Sequence, residues 1–142
     1  MNTQTNEQAY GFYEETRNYP RIKVNLPIQI HIDDNQIVDA NIYDISPDGL
    51  QVRCDRGVAL AVNPGGKNIK PEDNLIVKTE FELPIGNEKK RISVACKIYY
   101  FVKISGDATE EIALGLKFKT FSGMSITYIG QHISSELEPA VA

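Results

Sequence analysis

The 142-residue sequence has no tryptophan and only two cysteines and two histidines. Each scarcity closes a class of function. Cys54 and Cys96 have neither CxxC spacing nor a histidine nearby, so a zinc site has no ligand set. Both fall at inward positions of alternating segments, where a small buried hydrophobe fits better than a disulfide. No apolar run approaches the roughly 20 residues that a membrane-spanning helix needs, so no membrane insertion is expected. The first sixteen residues hold three glutamates, no basic residue and no apolar block. That is not a secretory leader, and a cytoplasmic location is the expectation. Cations are not in excess either. Fifteen Lys+Arg against nineteen Asp+Glu leave a net charge of −4, a poor balance for coating nucleic acid, so neither DNA nor RNA is expected as a partner.

Catalytic signatures are also missing. There is no GxGxxG, no GxxxxGK[ST] and no GxSxG. His31 falls on the outward face of an alternating segment, and His132 on the polar side of a helical one. The carboxylates Glu80, Glu82, Glu110 and Glu111 sit where a solvated face or loop would put them. No base stands beside a nucleophile, so the chain reads as a non-enzyme.

What is present is alternation. Over residues 22–32, Ile22, Val24, Leu26, Ile28, Ile30 and Ile32 face one way, and Lys23, Asn25, Pro27, Gln29 and His31 the other. Period two over eleven residues is a half-buried strand. Pro27 cannot donate to a ladder, which places it at an edge or a bulge. Asp33, Asp34 and Asn35 make a turn. A second strand comes next with Val38, Ala40 and Ile42 inward, a third with Leu50, Val52 and Cys54, and a fourth with Leu75, Val77, Thr79, Phe81 and Leu83. The fifth uses Ile92, Val94, Cys96, Ile98, Tyr100 and Val102, and the sixth covers 111–119. The period then changes. Ile126, Ile129, Ile133 and Leu137 recur at helical spacing, with Gly130 as a weak point. Residues 55–73 show neither period, but so long a structureless loop is unusual in a compact domain, and a short strand or helical turn is expected there. The fold class is mainly all-β: a six-stranded antiparallel barrel or sandwich followed by a C-terminal α-helix.

Two motifs lie at strand junctions. Arg17-Asn18-Tyr19-Pro20-Arg21 spells RxxxR before the first strand, and Asp44-Ile45-Ser46-Pro47-Asp48-Gly49 spells DxSxxG between the second and third. Arginine forks grip phosphate oxygens or the O6/N7 edge of guanine. A carboxylate accepts from the opposite, N1–H and N2–H₂ edge. Ser46 adds a hydroxyl, and Gly49 allows a positive φ or a close approach of ligand to backbone. Each motif also has a plain reading: Asp44 and Ser46 as turn caps, the arginines as solvated residues. Only the combination selects a guanine nucleotide.

In these residues the sequence resembles the PilZ domain family of bacterial cyclic di-GMP receptors. Arg17 and Arg21 match its RxxxR, Asp44, Ser46 and Gly49 its [DN]xSxxG, and Gly115-Leu116-Lys117-Phe118 looks like its closing strand. The resemblance implies a PilZ-type β-barrel over 17–121, with 1–16 a mobile acidic extension and 122–142 a helix and tail. It implies cyclic di-GMP as an allosteric ligand at Arg17, Arg21, Asp44, Ser46 and Gly49, no cofactor or metal, and signalling to an unidentified protein partner. The runner-up is a PilZ-like adaptor that binds a protein without nucleotide; a hydrolase using Asp44 and Ser46 is a third reading. The arginine segment, with Tyr10, Phe12, Tyr13 and Tyr19 nearby, is expected to order when ligand binds. Because Arg17 and Arg21 precede the core alternation, substituting them is expected to spare the stability of the barrel.

Overall fold

The structure is a computed structural model and describes residues 20–66, 69–104 and 111–137. Arg17, the acidic extension and the aromatics Tyr10, Phe12, Tyr13 and Tyr19 lie outside the described residues. Six strands, β1 (Ile22–Asp33), β2 (Gln36–Ser46), β3 (Gly49–Cys54), β4 (Ile76–Ile85), β5 (Glu88–Ile104) and β6 (Glu111–Phe121), are joined by α1 (Arg56–Val62) and followed by α2 (Ser125–Leu137). All pairings are antiparallel. The single sheet closes on itself in the order β1-β2-β3-β6-β5-β4.

Alternation decides which side chains fill the interior. Ile28, Ile30, Ile42, Ile45, Leu50, Val52, Val77, Phe81, Leu83, Ile92, Val94, Cys96, Ile98, Leu114 and Leu116 form one buried cluster. Thr79 belongs to the same inward row; its hydroxyl donates to the Val94 carbonyl at 2.9 Å, which removes the cost of burying it. Cys54 and Cys96 are free and buried, and burial pushes both thiols up to about 12. Pro27 sits one residue outside the β1–β4 pairing, which runs only from Ile28 opposite Phe81 to His31 opposite Lys78. Its missing N–H therefore costs that ladder nothing. The Asp33 carboxylate accepts from the Asn35 N–H at 2.8 Å in the β1–β2 turn.

Residues 55–73 contain α1 and a 3-10 turn, Pro71–Asp73. The Asp55 side chain caps α1 by accepting from the Val58 N–H at 2.8 Å, and Ala59 and Val62 point into the core. Among the strands, α1 rests against β2 and β6, past the end of β3, whereas α2 packs on β4, β5 and β1. By the strand directions the two helices stand at opposite ends of the barrel.

The face that α2 buries differs from the apolar spacing. Ile126 is 57% exposed and Leu137 48%, whereas Ser125, Ile129, His132 and Ile133 are buried. Backbone groups left over by the ladders explain the rotation. The Ser125 hydroxyl accepts from the Ser93 N–H at 2.9 Å, just before the β5–β6 pairing begins at Val94. The His132 Nδ1 lies 3.0 Å from the Pro84 carbonyl. His132 is thus a buried anchor, not a polar-face residue.

Register shifts interrupt several ladders, and two of them bear on the face around the motifs. One lies between Ile42 and Asp44 of β2 against β3, and one between Ile98 and Tyr100 of β5 against β6. A bulge sets two consecutive residues against one partner and re-aims the side chains beyond it. Ile42 and Ile45, three apart, both enter the core, with Asp44 outward between them opposite Gln51. In β5, Phe101 rather than Tyr100 packs against the core beyond the bulge.

Candidate functional site

The ladder of β1 and β2 brings the two motifs together. Ile22 pairs with Ile45 and Lys23 with Asp44, so the residue that leads into β1 arrives at the strand end that leads into DxSxxG. Arg21 Nη1 donates to Asp44 Oδ1 in a direct ion pair. Only 10% and 6% of the two side chains is exposed. Coulomb attraction is strong in such surroundings, and neither charge tolerates losing its partner.

Ser46 and Asp48 build the turn itself. The Ser46 hydroxyl donates to Asp48 Oδ1 at 2.6 Å, and the Phe118 N–H donates to the Asp48 carbonyl at 2.9 Å, which fastens the turn to β6. Ser46 therefore helps to hold its own turn, and Asp44 reaches across to Arg21. Of the two reasons the sequence offers for Gly49, the positive φ does not hold. What approaches its backbone is the neighbouring strand. A Cβ at this position would lie 2.3 Å from the Leu116 carbonyl oxygen.

Around these residues the outer face of the barrel is paved with groups that carried no motif. Gln51, 1% exposed, stands opposite Asp44 on one side and Gly115 on the other. Its amide donates to the Tyr100 hydroxyl at 3.2 Å, and its carbonyl accepts from Arg53 Nε at 2.8 Å. The Tyr100 ring lies over Gly115, where a Cβ would come within 2.1 Å of it. Tyr43, the bulged residue of β2, has the Arg53 guanidinium 3.8 Å and the Lys23 ammonium 4.5 Å from its ring centroid. Lys23 also donates to the Tyr43 hydroxyl at 2.8 Å, which raises the lysine pKa and lowers that of the phenol. Bulge positions have no sequence signature, so these neighbours were not legible from spacing.

Of the residues singled out by sequence, the fold gathers Arg21, Asp44, Ser46 and Gly49 at one end of the barrel wall; Arg17 is outside the described residues. Arg21 supplies forked donors, Asp44 an acceptor, and both are held before any ligand arrives. The pair can present complementary edges to a planar base that offers acceptors on one side and donors on the other.

Known proteins agree with this architecture. The PilZ domain family model matches residues 15–135. No curated protein sequence matches the chain. Among solved structures, the chain is similar to the Bacillus subtilis inhibitor of motility MotI/DgrA, at 15% identity and a TM-score of 0.62 over 86% of this chain and 51% of that one. It is similar to the PilZ domain of Escherichia coli YcgR with c-di-GMP, at 16% identity and a TM-score of 0.59 over 84% and 90%. The K. pneumonia protein MrkH, described as a c-di-GMP-dependent transcription regulatory factor, aligns at 14% identity and a TM-score of 0.60 over 85% and 51%. The chain thus spans about half the length of MotI/DgrA and MrkH. At these identities the solved structures speak for the fold alone. The family match covers most of the chain and includes both motifs, and with it the resemblance read from the sequence becomes an assignment: this chain belongs to the PilZ domain family.

Proposed function

We propose that the protein is a receptor for cyclic di-GMP that binds the nucleotide at Arg17, Arg21, Asp44, Ser46 and Gly49 and performs no chemistry on it. The observation that carries the proposal is the Arg21–Asp44 pair. It joins two motifs 23 residues apart into one site with a donor fork and a carboxylate side by side. Guanine needs both, through its O6/N7 and N1–H/N2–H₂ edges. Binding of c-di-GMP by a structural neighbour, the PilZ domain of YcgR, supports the choice of ligand.

In this reading residues 17–121 form the receptor barrel, 1–16 an extension and 122–142 the helix and tail. Ligand contacts at the arginines draw residues 10–21 onto the barrel, and the new surface engages a protein partner in the cytoplasm. No helix among the described residues is long and apolar enough to cross a membrane. The acidic net charge argues for a protein rather than a nucleic acid as the partner. MrkH shares the fold and regulates transcription, so a DNA-binding assay belongs beside the partner search.

Calorimetric titration with cyclic di-GMP, followed by chromatography of the recovered ligand, tests the reading. Saturable binding with intact nucleotide is expected. Absence of heat at any concentration would leave the nucleotide-free adaptor, and conversion of the ligand would make the protein an enzyme. Amide exchange on the same sample should slow over residues 10–21 with ligand and change less over 22–32. Equal protection with and without ligand would refute the switch.

A further inference from the structure

Lys97 of β5 stands directly opposite Lys117 of β6, and Lys117 is in turn the ladder partner of Gly49. Gly49 pairs with Ser46. One cross-strand row therefore runs Ser46, Gly49, Lys117, Lys97 outward from the DxSxxG turn. With strands about 4.8 Å apart, the whole row spans about 15 Å.

Two like charges at directly opposite positions repel and destabilise a sheet. The β5 bulge leaves Tyr99 beside both: its ring centroid lies 5.9 Å from Lys97 Nζ and 5.4 Å from Lys117 Nζ. Attraction to one shared ring offsets part of the repulsion and fixes the ammonium groups as a pair. Tyr99 itself is 38% exposed. Among the described residues, no carboxylate forms an ion pair with Lys117.

The charge of the site calls for such a pair. Arg21 is neutralised by Asp44, and Arg53 faces Glu111 at 3.8 Å. A cyclic dinucleotide carries two phosphodiester charges, and the described part of the motifs has no net positive charge left for them. Among the described residues, the cations that continue the motif row are Lys117 and Lys97.

We propose that Lys97, Lys117 and Tyr99 form a phosphodiester-binding ledge that extends the nucleotide site from Gly49 across β6 onto β5. The proposal rests on the cyclic di-GMP reading above. The ledge holds the phosphate farther from Arg21, and the tyrosine ring draws both ammonium groups toward itself.

Titration of the full chain with cyclic di-GMP tests it, using Lys97→Gln, Lys117→Gln, the double variant, Arg21→Ala as a site control and Lys89→Gln as a bulk-charge control. Lys89 lies on the same strand eight residues from Lys97, about 26 Å away. Each ledge substitution is expected to weaken binding roughly tenfold, the size of a charge-assisted hydrogen bond. The double variant should also lose most of the drop in affinity that added salt causes in the wild type. Its unfolding temperature without ligand should stay level or rise, because a repulsion has been removed. Unchanged affinity in the double variant, with Arg21→Ala still defective, would overturn the ledge and leave the receptor reading standing. An equal loss in Lys89→Gln would overturn it in favour of bulk charge. Failure of the wild type to bind would overturn both.

Discussion

Replacing Arg21 by alanine is expected to destabilise the ligand-free barrel by about 3 kcal/mol, the low end of the cost of stranding one member of a buried ion pair. For a domain of this size that lowers the unfolding temperature by about 10 °C. Position in the chain gives the opposite expectation, because Arg21 stands before the first core residue of β1. The difference comes from where its side chain goes. It leaves the strand start, crosses to β2 and meets Asp44, which is 4% exposed. Removing the guanidinium takes this ion-pair partner from a carboxylate in a poorly hydrated place. The double variant Arg21→Met/Asp44→Leu should recover stability to within about 1 kcal/mol of the wild type, because apolar groups of similar volume replace a buried pair at little cost. It should not recover nucleotide binding. Thermal unfolding and calorimetry on the three variants separate the two effects. An Arg21→Ala protein as stable as the wild type would show that the pair contributes nothing to the fold.

The second large effect is at Gly49. A methyl group there would overlap the Leu116 carbonyl oxygen, a backbone atom held in the β3–β6 ladder by the pairs Gly49–Lys117 and Leu50–Leu116. No rotamer change relieves that contact, so the strands themselves must separate. Gly49→Ala is expected to cost about 3 kcal/mol, the upper range for overpacking. Gly115→Ala makes a useful contrast, since the methyl group would meet only the Tyr100 ring. A side chain can swing away. The expected cost is about 1 kcal/mol, mainly the lost hydrogen bond between Gln51 and Tyr100. Urea unfolding of both variants gives the order. A Gly115→Ala protein less stable than Gly49→Ala would mean that the β3–β6 contact yields more easily than its geometry implies.

Much of this fold was legible because period two is hard to produce by accident. The inward rows of β1, β3 and β4 coincide with the alternating residues, and so does the start of β5 through Ile98. Where sequence and structure part, a backbone requirement has overridden side-chain hydrophobicity. The bulges at Tyr43 and Tyr99 add one residue to a strand without changing its composition, so nothing in the sequence marks them. The helix α2 turns Ser125 and His132 inward because a β5 amide and a β4 carbonyl need partners there, a demand that a hydrophobic pattern cannot reveal. The DxSxxG turn was legible as a motif, but the reason for its glycine was not. That reason sits on β6, 67 residues further along the chain, and enters only through the ladder. Likewise, the spacing of Arg21 and Asp44 says nothing about their meeting. It comes from the register that sets Lys23 against Asp44.

Whether Asp44 and Arg21 together read guanine, or merely attract phosphate, is tested most directly by calorimetric titration of the wild type and of Asp44→Ala, each with cyclic di-GMP and cyclic di-AMP. Adenine lacks the paired N1–H and N2–H₂ donors, so the wild type is expected to prefer cyclic di-GMP by about a hundredfold, the discrimination of one good two-point contact to a base. Removing the carboxylate makes the site more positive. A site that works by charge alone would then bind both ligands more tightly. Guanine readout predicts instead that Asp44→Ala binds cyclic di-GMP more weakly and loses most of its preference over cyclic di-AMP. Equal binding of both dinucleotides by the wild type, or tighter binding of cyclic di-GMP by Asp44→Ala, would contradict it.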